Sequence, residues 1–200
     1  MNLITVIVLI TLALLVAAAL YFSWCGLFSR VSVDERNAGP FLLLFKKHIG
    51  EYRNIGPVMD SVYYELINVH NIKTTRGFGL YYDNPAEVEK SKLRSLAGCI
   101  LDGYSEQQIK KLHPELHNNF GVATSPSTQS VTAGHPYKGT LSIILGVFKV
   151  YPSIQKWMKK YNRRSVPIME IYDQPNRKIS YLAAFDIPDS FYSELLDQAP

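Results

Sequence analysis

The sequence predicts a membrane-crossing helix followed by one α+β domain. Three observations predict it. The first 28 residues carry no charged side chain and are almost wholly apolar from Leu3 to Cys25. After Arg30 the composition turns to that of a soluble domain, where short apolar runs suited to strands alternate with stretches of helical periodicity. One local turn, Tyr-Asp-x-Pro, occurs twice, at Tyr82-Asp83-Asn84-Pro85 and Tyr172-Asp173-Gln174-Pro175, each time after a strand that follows a helix.

The apolar run rises about 1.5 Å per residue as a helix and so spans roughly 35 Å, enough to cross a hydrocarbon core of about 30 Å. A secretory signal would carry a positive n-region and an apolar stretch of about 7–15 residues. Here the apolar character continues past Ala17-Ala18-Ala19 through Trp24 and Phe28, so an uncleaved anchor over residues 1–28 is expected. A core helix apolar on every side at this length is disfavoured. Tyr21, Phe22 and Trp24 suit an interfacial aromatic belt. No Lys or Arg precedes the run, whereas Arg30, Arg36, Lys46 and Lys47 follow it, which places the C-terminal domain in the cytosol by the positive-inside rule. Two cysteines, Cys25 and Cys99, are too few for a disulfide framework, and the chain has no Asn-x-Ser/Thr sequon. Cys25 suits either a palmitoylated or an unmodified membrane-edge residue.

Residues 29–39 read as a polar linker and 40–200 as a single domain, which carries the whole formal charge of +4. Phe41–Phe45 is a short apolar run of strand type. Gly56-Pro57 opens a helix, with Pro at its first position and Val58, Val62, Leu66 and Val69 on one face. Gly77–Tyr82 and Leu93–Leu101 follow as strands. A helix over Glu106–Leu112 connects to a second set, with Thr124–Thr128 as a mid-domain loop. In that set Ser130–Tyr137 is a strand. Leu141, Ile144, Leu145 and Phe148, then Ile154, Trp157, Met158 and Tyr161, have helical spacing, with Pro152 expected to kink or divide the helix. Val166–Tyr172 and Lys178–Phe185 close as strands. The repeated order predicts two strand-helix-strand-strand units.

Candidate chemistry is sparse. His113-Pro114-Glu115-Leu116-His117 spaces two imidazoles like a helical zinc pair, but Pro114 stands where a zinc protease needs Glu and disfavours helix at His113, so surface histidines and no metal are expected. His48 and His135 read as structural, and Cys99 as a core thiol with no adjacent base. No nucleophile elbow, phosphate loop or dinucleotide fingerprint is present, and neither enzyme activity nor a cofactor is expected. Lys156, Lys159, Lys160 and Arg163 form a basic stripe that suits a solvated face or anionic lipid. Nucleic acid is not an expected partner, because no recognised module accompanies the charge.

His48-Ile49-Gly50-Glu51-Tyr52, Tyr81-Tyr82-Asp83-Asn84-Pro85, Gly98-Cys99-Ile100-Leu101, His135-Pro136-Tyr137 with Leu141-Ser142-Ile143, and Met169-Glu170-Ile171-Tyr172 together resemble, in order and spacing, the testis-expressed protein 264 family. The resemblance implies a single-pass protein of the endoplasmic reticulum with a cytosolic gyrase-inhibitor-like domain, serving as a receptor or adaptor in selective autophagy of that organelle. It implies autophagy ubiquitin-like modifiers as partners, bound through a short motif that vertebrate relatives carry on an acidic tail. This chain is expected to end with its domain. Its best match to the motif is Tyr192-Ser193-Glu194-Leu195, in acidic surroundings, with Tyr192 and Leu195 as the pocket-filling residues; a packed terminal segment is the competing reading. Gyrase-inhibitor-like domains are also similar to bacterial effector-binding modules, some of which hold small cations against a carboxylate and aromatic rings. That similarity makes Glu170, Tyr172 and Tyr82 the candidate ligand-binding cleft of an alternative function, a membrane-tethered small-molecule sensor.

Overall fold

A computed structural model describes residues 2–199. Helix α1 (Leu3–Trp24) starts at Asn2, whose side chain accepts the Thr5 N–H at 2.8 Å. Among the described residues it is the one helix long and apolar enough to cross a membrane, and none of its side chains is buried by protein. Cys25, the next residue, is fully buried against the domain. Strand β1 (Val33–Ala38) follows and pairs antiparallel with β6 (Thr128–Pro136) from Val33↔Ala133 to Ala38↔Thr128. This corrects the expected linker over 29–39. Its charged side chains Asp34, Glu35 and Arg36 project to solvent while β6 satisfies the backbone, so no apolar pattern announces the strand.

The other strands are β2 (Phe41–Ile49), β3 (Arg76–Tyr81), β4 (Arg94–Ile100), β5 (Gly121–Ser125), β7 (Ile168–Asp173) and β8 (Lys178–Ala183). Among the described residues all eight form one antiparallel sheet in the order β1-β6-β8-β7-β3-β4-β2-β5. Gly39-Pro40 alone joins β1 to β2, and Pro126-Ser127 alone joins β5 to β6, although each pair stands at opposite ends of that order. At roughly 3.3–3.6 Å of reach per residue, such connections close only if the sheet curls until its edges approach. The expected loop at Thr124–Thr128 is thus shorter than its composition suggests.

Each strand feeds both faces. On the outer face, α2 (Ile55–Asn68) buries Val62 and Leu66 against Leu42, Leu44 and Cys99, and α5 (Thr140–Lys160) buries Val150, Ile154 and Met158 against Val131, Ile179 and Ala183. On the inner face, Leu43, Phe45, Phe78, Leu80, Leu96 and Ile171 meet α6 (Asp189–Gln198). Helix α3 (Glu106–Leu112) lies where a connecting helix is expected, opened by a capping box between Ser105 and Gln108, and the short α4 (Leu116–Asn119) follows. Read from opposite edges, β6-β8-β7 and β2-β4-β3 show the same strand order and meet at the β3–β7 pair. Both Tyr-Asp-x-Pro turns leave the first strand after a helix. The Asp83 carboxylate accepts the Arg94 N–H at 2.7 Å, and the Asp173 carboxylate accepts the Asn176 N–H at 3.0 Å.

Two features of α5 qualify its sequence pattern. Pro152 does not divide it; the helix runs unbroken from Thr140 to Lys160, with Pro152 exposed on its solvent side. The set Leu141, Ile144, Leu145 and Phe148 is not the buried face: Phe148 is 75% exposed and Ile144 47%. Ser142 and Gly146 are buried instead, since a Cβ on Gly146 would lie 2.2 Å from the Tyr181 hydroxyl.

Gly98 occupies the tightest crossing of the sheet. A Cβ there would stand 1.9 Å from the Leu44 carbonyl oxygen and 2.8 Å from Phe45 Cα, both backbone atoms. Gly98→Ala is expected to lower stability by about 1–3 kcal/mol, the usual cost of overpacking. A denaturant melt of the variant checks it, and an unchanged midpoint would show that β2 and β4 can separate freely.

Candidate functional site

Glu170 lies in β7 opposite Gly79 of β3 and Tyr181 of β8, on the sheet face that carries α2 and α5. A polar residue inside a strand of Ile168, Met169, Ile171 and Tyr172 is unusual, and this one is only 1% exposed. Four tyrosines surround it. Tyr151 of α5 donates to one carboxylate oxygen at 2.8 Å, and Tyr172, two residues along the strand, donates to the other at 2.5 Å. Tyr81 extends the chain, its hydroxyl 3.5 Å from that of Tyr172. The buried Tyr181 hydroxyl has no partner among the described residues. Gly79 makes room here, because a Cβ would meet the Tyr81 hydroxyl at 2.9 Å.

Burial pushes the Glu170 carboxyl up to about 7, against the opposing pull of the Tyr172 and Tyr151 hydrogen bonds. Burial, then the neighbouring Glu170 charge, pushes the phenols of Tyr81, Tyr151 and Tyr172 well above the usual range. The arrangement is a closed store for one proton near neutral pH. Any cation that used it would have to part the phenols first.

Two of the three residues expected in this cleft are together, Glu170 and Tyr172. Tyr82 is not, and this is a correction. Successive strand residues point to opposite faces, so Tyr81 reaches the carboxylate's network while Tyr82 points inward and donates to the Tyr192 carbonyl at 2.9 Å. Tyr81, Tyr151 and Tyr181 went unrecognised in the sequence. The available signal was Gly79 between Phe78 and Leu80, a strand glycine that marks close approach.

Of the two readings of Tyr192-Ser193-Glu194-Leu195, the structure has the packed terminal segment. Tyr192 is 6% exposed and Leu195 1%, both inside the curl of the sheet, with the Tyr192 hydroxyl donating to the Ala184 carbonyl at 2.9 Å. Neither side chain is free to fill a partner's pocket. His113 is not grouped with His117. His113 and His70 instead converge on Glu115, with Nδ1–Oε1 distances of 3.5 and 3.0 Å, contacts of ordinary ion-pair length that tie the end of α2 to the α3–α4 connection. Cys99 is a core thiol as expected, pushed up to about 12 by burial.

No protein-family model matches the chain. Two curated proteins do. Testis-expressed protein 264 of Homo sapiens is 30% identical over 173 residues, covering 82% of this chain and 52% of that protein. The Mus musculus homolog is 27% identical over 150 residues, covering 74% and 46%. The chain thus spans about half the length of the curated relatives it matches. Among solved structures, EcmrR in its complex with DNA superimposes with a TM-score of 0.56 at 11% identity, over 84% of this chain and 62% of that one, a likeness of fold alone.

Proposed function

From this chain's homology to Testis-expressed protein 264 over most of its length, we propose that it is a single-pass membrane protein of the endoplasmic reticulum, a non-enzymatic receptor or adaptor in selective autophagy of that membrane, with its domain in the cytosol. The observation that carries the membrane part is α1, an apolar helix whose whole surface lacks protein cover and whose end is already docked on a folded domain. The family likeness supports the autophagy part. We read the domain as gyrase-inhibitor-like, two strand-helix-strand-strand units meeting at β3 and β7. Because Tyr192 and Leu195 are core, that segment is not free to contact an autophagy modifier while the domain is folded.

The test is an endoplasmic-reticulum turnover reporter in cells lacking their own homologue. The full chain is expected to raise starvation-induced delivery of the reporter to lysosomes, and a chain lacking residues 1–28 is not. Unchanged delivery by a full chain that resides in the endoplasmic reticulum would overturn the receptor assignment.

One observation favours a second reading, the small-molecule sensor: a buried carboxyl held near neutral pH under a lid of phenols, a arrangement the scaffold role does not require.

A further inference from the structure

The join between α1 and the domain has no slack. Cys25 is fully buried one residue after the helix ends. Gly26, at φ +96°, lies so close to β6 that a Cβ would meet the His135 ring at 2.9 Å and Pro136 at 3.2 Å. The Lys149 ammonium of α5 donates to the carbonyls of Gly26, Leu27 and Ser29 at 3.1, 2.6 and 2.6 Å. These contacts place a cation beside the last turn of α1, where carbonyls lack helical partners. The Lys138 ammonium stands 5.4 Å over the Trp24 ring.

The 22 residues of α1 span about 33 Å, close to the hydrocarbon thickness of about 30 Å, so Trp24 falls at the headgroup layer. With no tether, the domain surface around that point falls there too. This surface is unusually apolar: Phe28 and Phe148 are about three-quarters exposed, and Leu27 and Ile144 are 38% and 47% exposed. Ile144 and Phe148, one helical turn apart, share the outer face of α5 beside Lys149. Arg30 and Lys138 lie at the same end of the domain and suit anionic headgroups.

We propose that this end of the domain is seated in the interface of the bilayer that α1 spans, with Leu27, Phe28, Ile144 and Phe148 inserted among the lipids. The occupant of the patch is lipid, because the anchor leaves that end no distance from the membrane. The proposal rests on α1 spanning a bilayer. It makes the domain an upright block of fixed orientation rather than a head on a tether.

The test uses the full chain in phosphatidylcholine vesicles, with an environment-sensitive fluorophore on Leu12→Cys, Phe148→Cys or Lys92→Cys; unsubstituted protein, whose Cys25 and Cys99 are buried, gives the background. Lys92 reports the far end. Pro136 pairs with Lys178, Lys178 with Asp173, and Asp173 with Arg76, so β3 starts at the membrane end and its connection to β4 lies opposite. Spin-labelled lipid is expected to quench the probes at Leu12 and Phe148 about two-fold or more, as for an apolar face about 5–10 Å into the headgroup boundary. Aqueous iodide is expected to quench only the probe at Lys92. Lipid quenching at Leu12 with iodide quenching at Phe148 would overturn the seating alone. No lipid quenching at Leu12 would overturn the membrane reading and the seating with it.

Discussion

Replacing Tyr192 and Leu195 together by alanine is expected to remove on the order of 5 kcal/mol or more of folding stability, a large share of the about 5–15 kcal/mol a domain possesses. Leu195 contacts the inner-face core at 1% exposure, and Tyr192 adds a buried ring and a hydrogen bond to the Ala184 carbonyl. Each truncation leaves a cavity that the surrounding strands cannot close, since they are bound into one sheet on both sides. Tyr82 would also lose the ring it packs against edge-on at 6.3 Å. Chemical denaturation of the double variant, beside Glu194→Ala on the exposed side of α6, measures the loss; the control should stay within about 0.5 kcal/mol. A double variant that melts like the parent yet loses binding to an autophagy modifier would show that α6 leaves the sheet and would restore the segment as a docking motif.

Glu170→Gln is expected to stabilise the protein above neutral pH and to flatten its pH dependence. The folded carboxyl titrates at about 7 and an ordinary glutamate at 4.5. Between those values the folded state keeps a proton that the unfolded state releases. This group therefore contributes most below pH 4.5; its contribution falls as pH rises to about 7 and is level beyond. The interval corresponds to roughly 3 kcal/mol at full effect. Glutamine keeps an acceptor for Tyr151 or Tyr172 and carries no charge to bury. Thermal melts of both proteins from pH 4 to pH 9 check the sign. If the variant is instead less stable at every pH, the buried charge is compensated in a way the four phenols do not explain. A ligand screen on the same two proteins addresses the sensor reading, because a ligand at about a hundred times its Kd stabilises by about 2.7 kcal/mol. Stabilisation of the parent that vanishes in Glu170→Gln would favour it.

These outcomes separate two roles for one scaffold. A proton store that no added ligand relieves is a cost of folding, tolerated at the meeting of β3 and β7. A store that a cation relieves is a binding site closed at rest. The seating of the domain on lipid is independent of both, since it depends on Lys149 and the α1 junction on the outer edge of the sheet.

Composition and local chemistry by themselves determined the elements that need no distant partner. Helix α1 follows from an unbroken apolar run, α3 from its capping residues, and the Tyr172–Pro175 turn from the Asp173 side chain, which bonds Asn176 three residues on. Val62 and Leu66 were legible as core, as were Cys99 and the strands on either side of Glu170. Tertiary structure alone decided the phase of each element. Periodicity shows that alternate residues diverge but not which set is buried, so Tyr81 rather than Tyr82 joined Glu170. In α5 the Tyr181 hydroxyl claimed the space at Gly146 and turned Ile144 and Phe148 outward. The polar segment Val33–Ala38 became a strand because β6 offered its hydrogen bonds, and Tyr192 and Leu195 became core because the sheet curled around α6. Register and closure come from contacts between residues far apart in the chain, and no local window contains both partners.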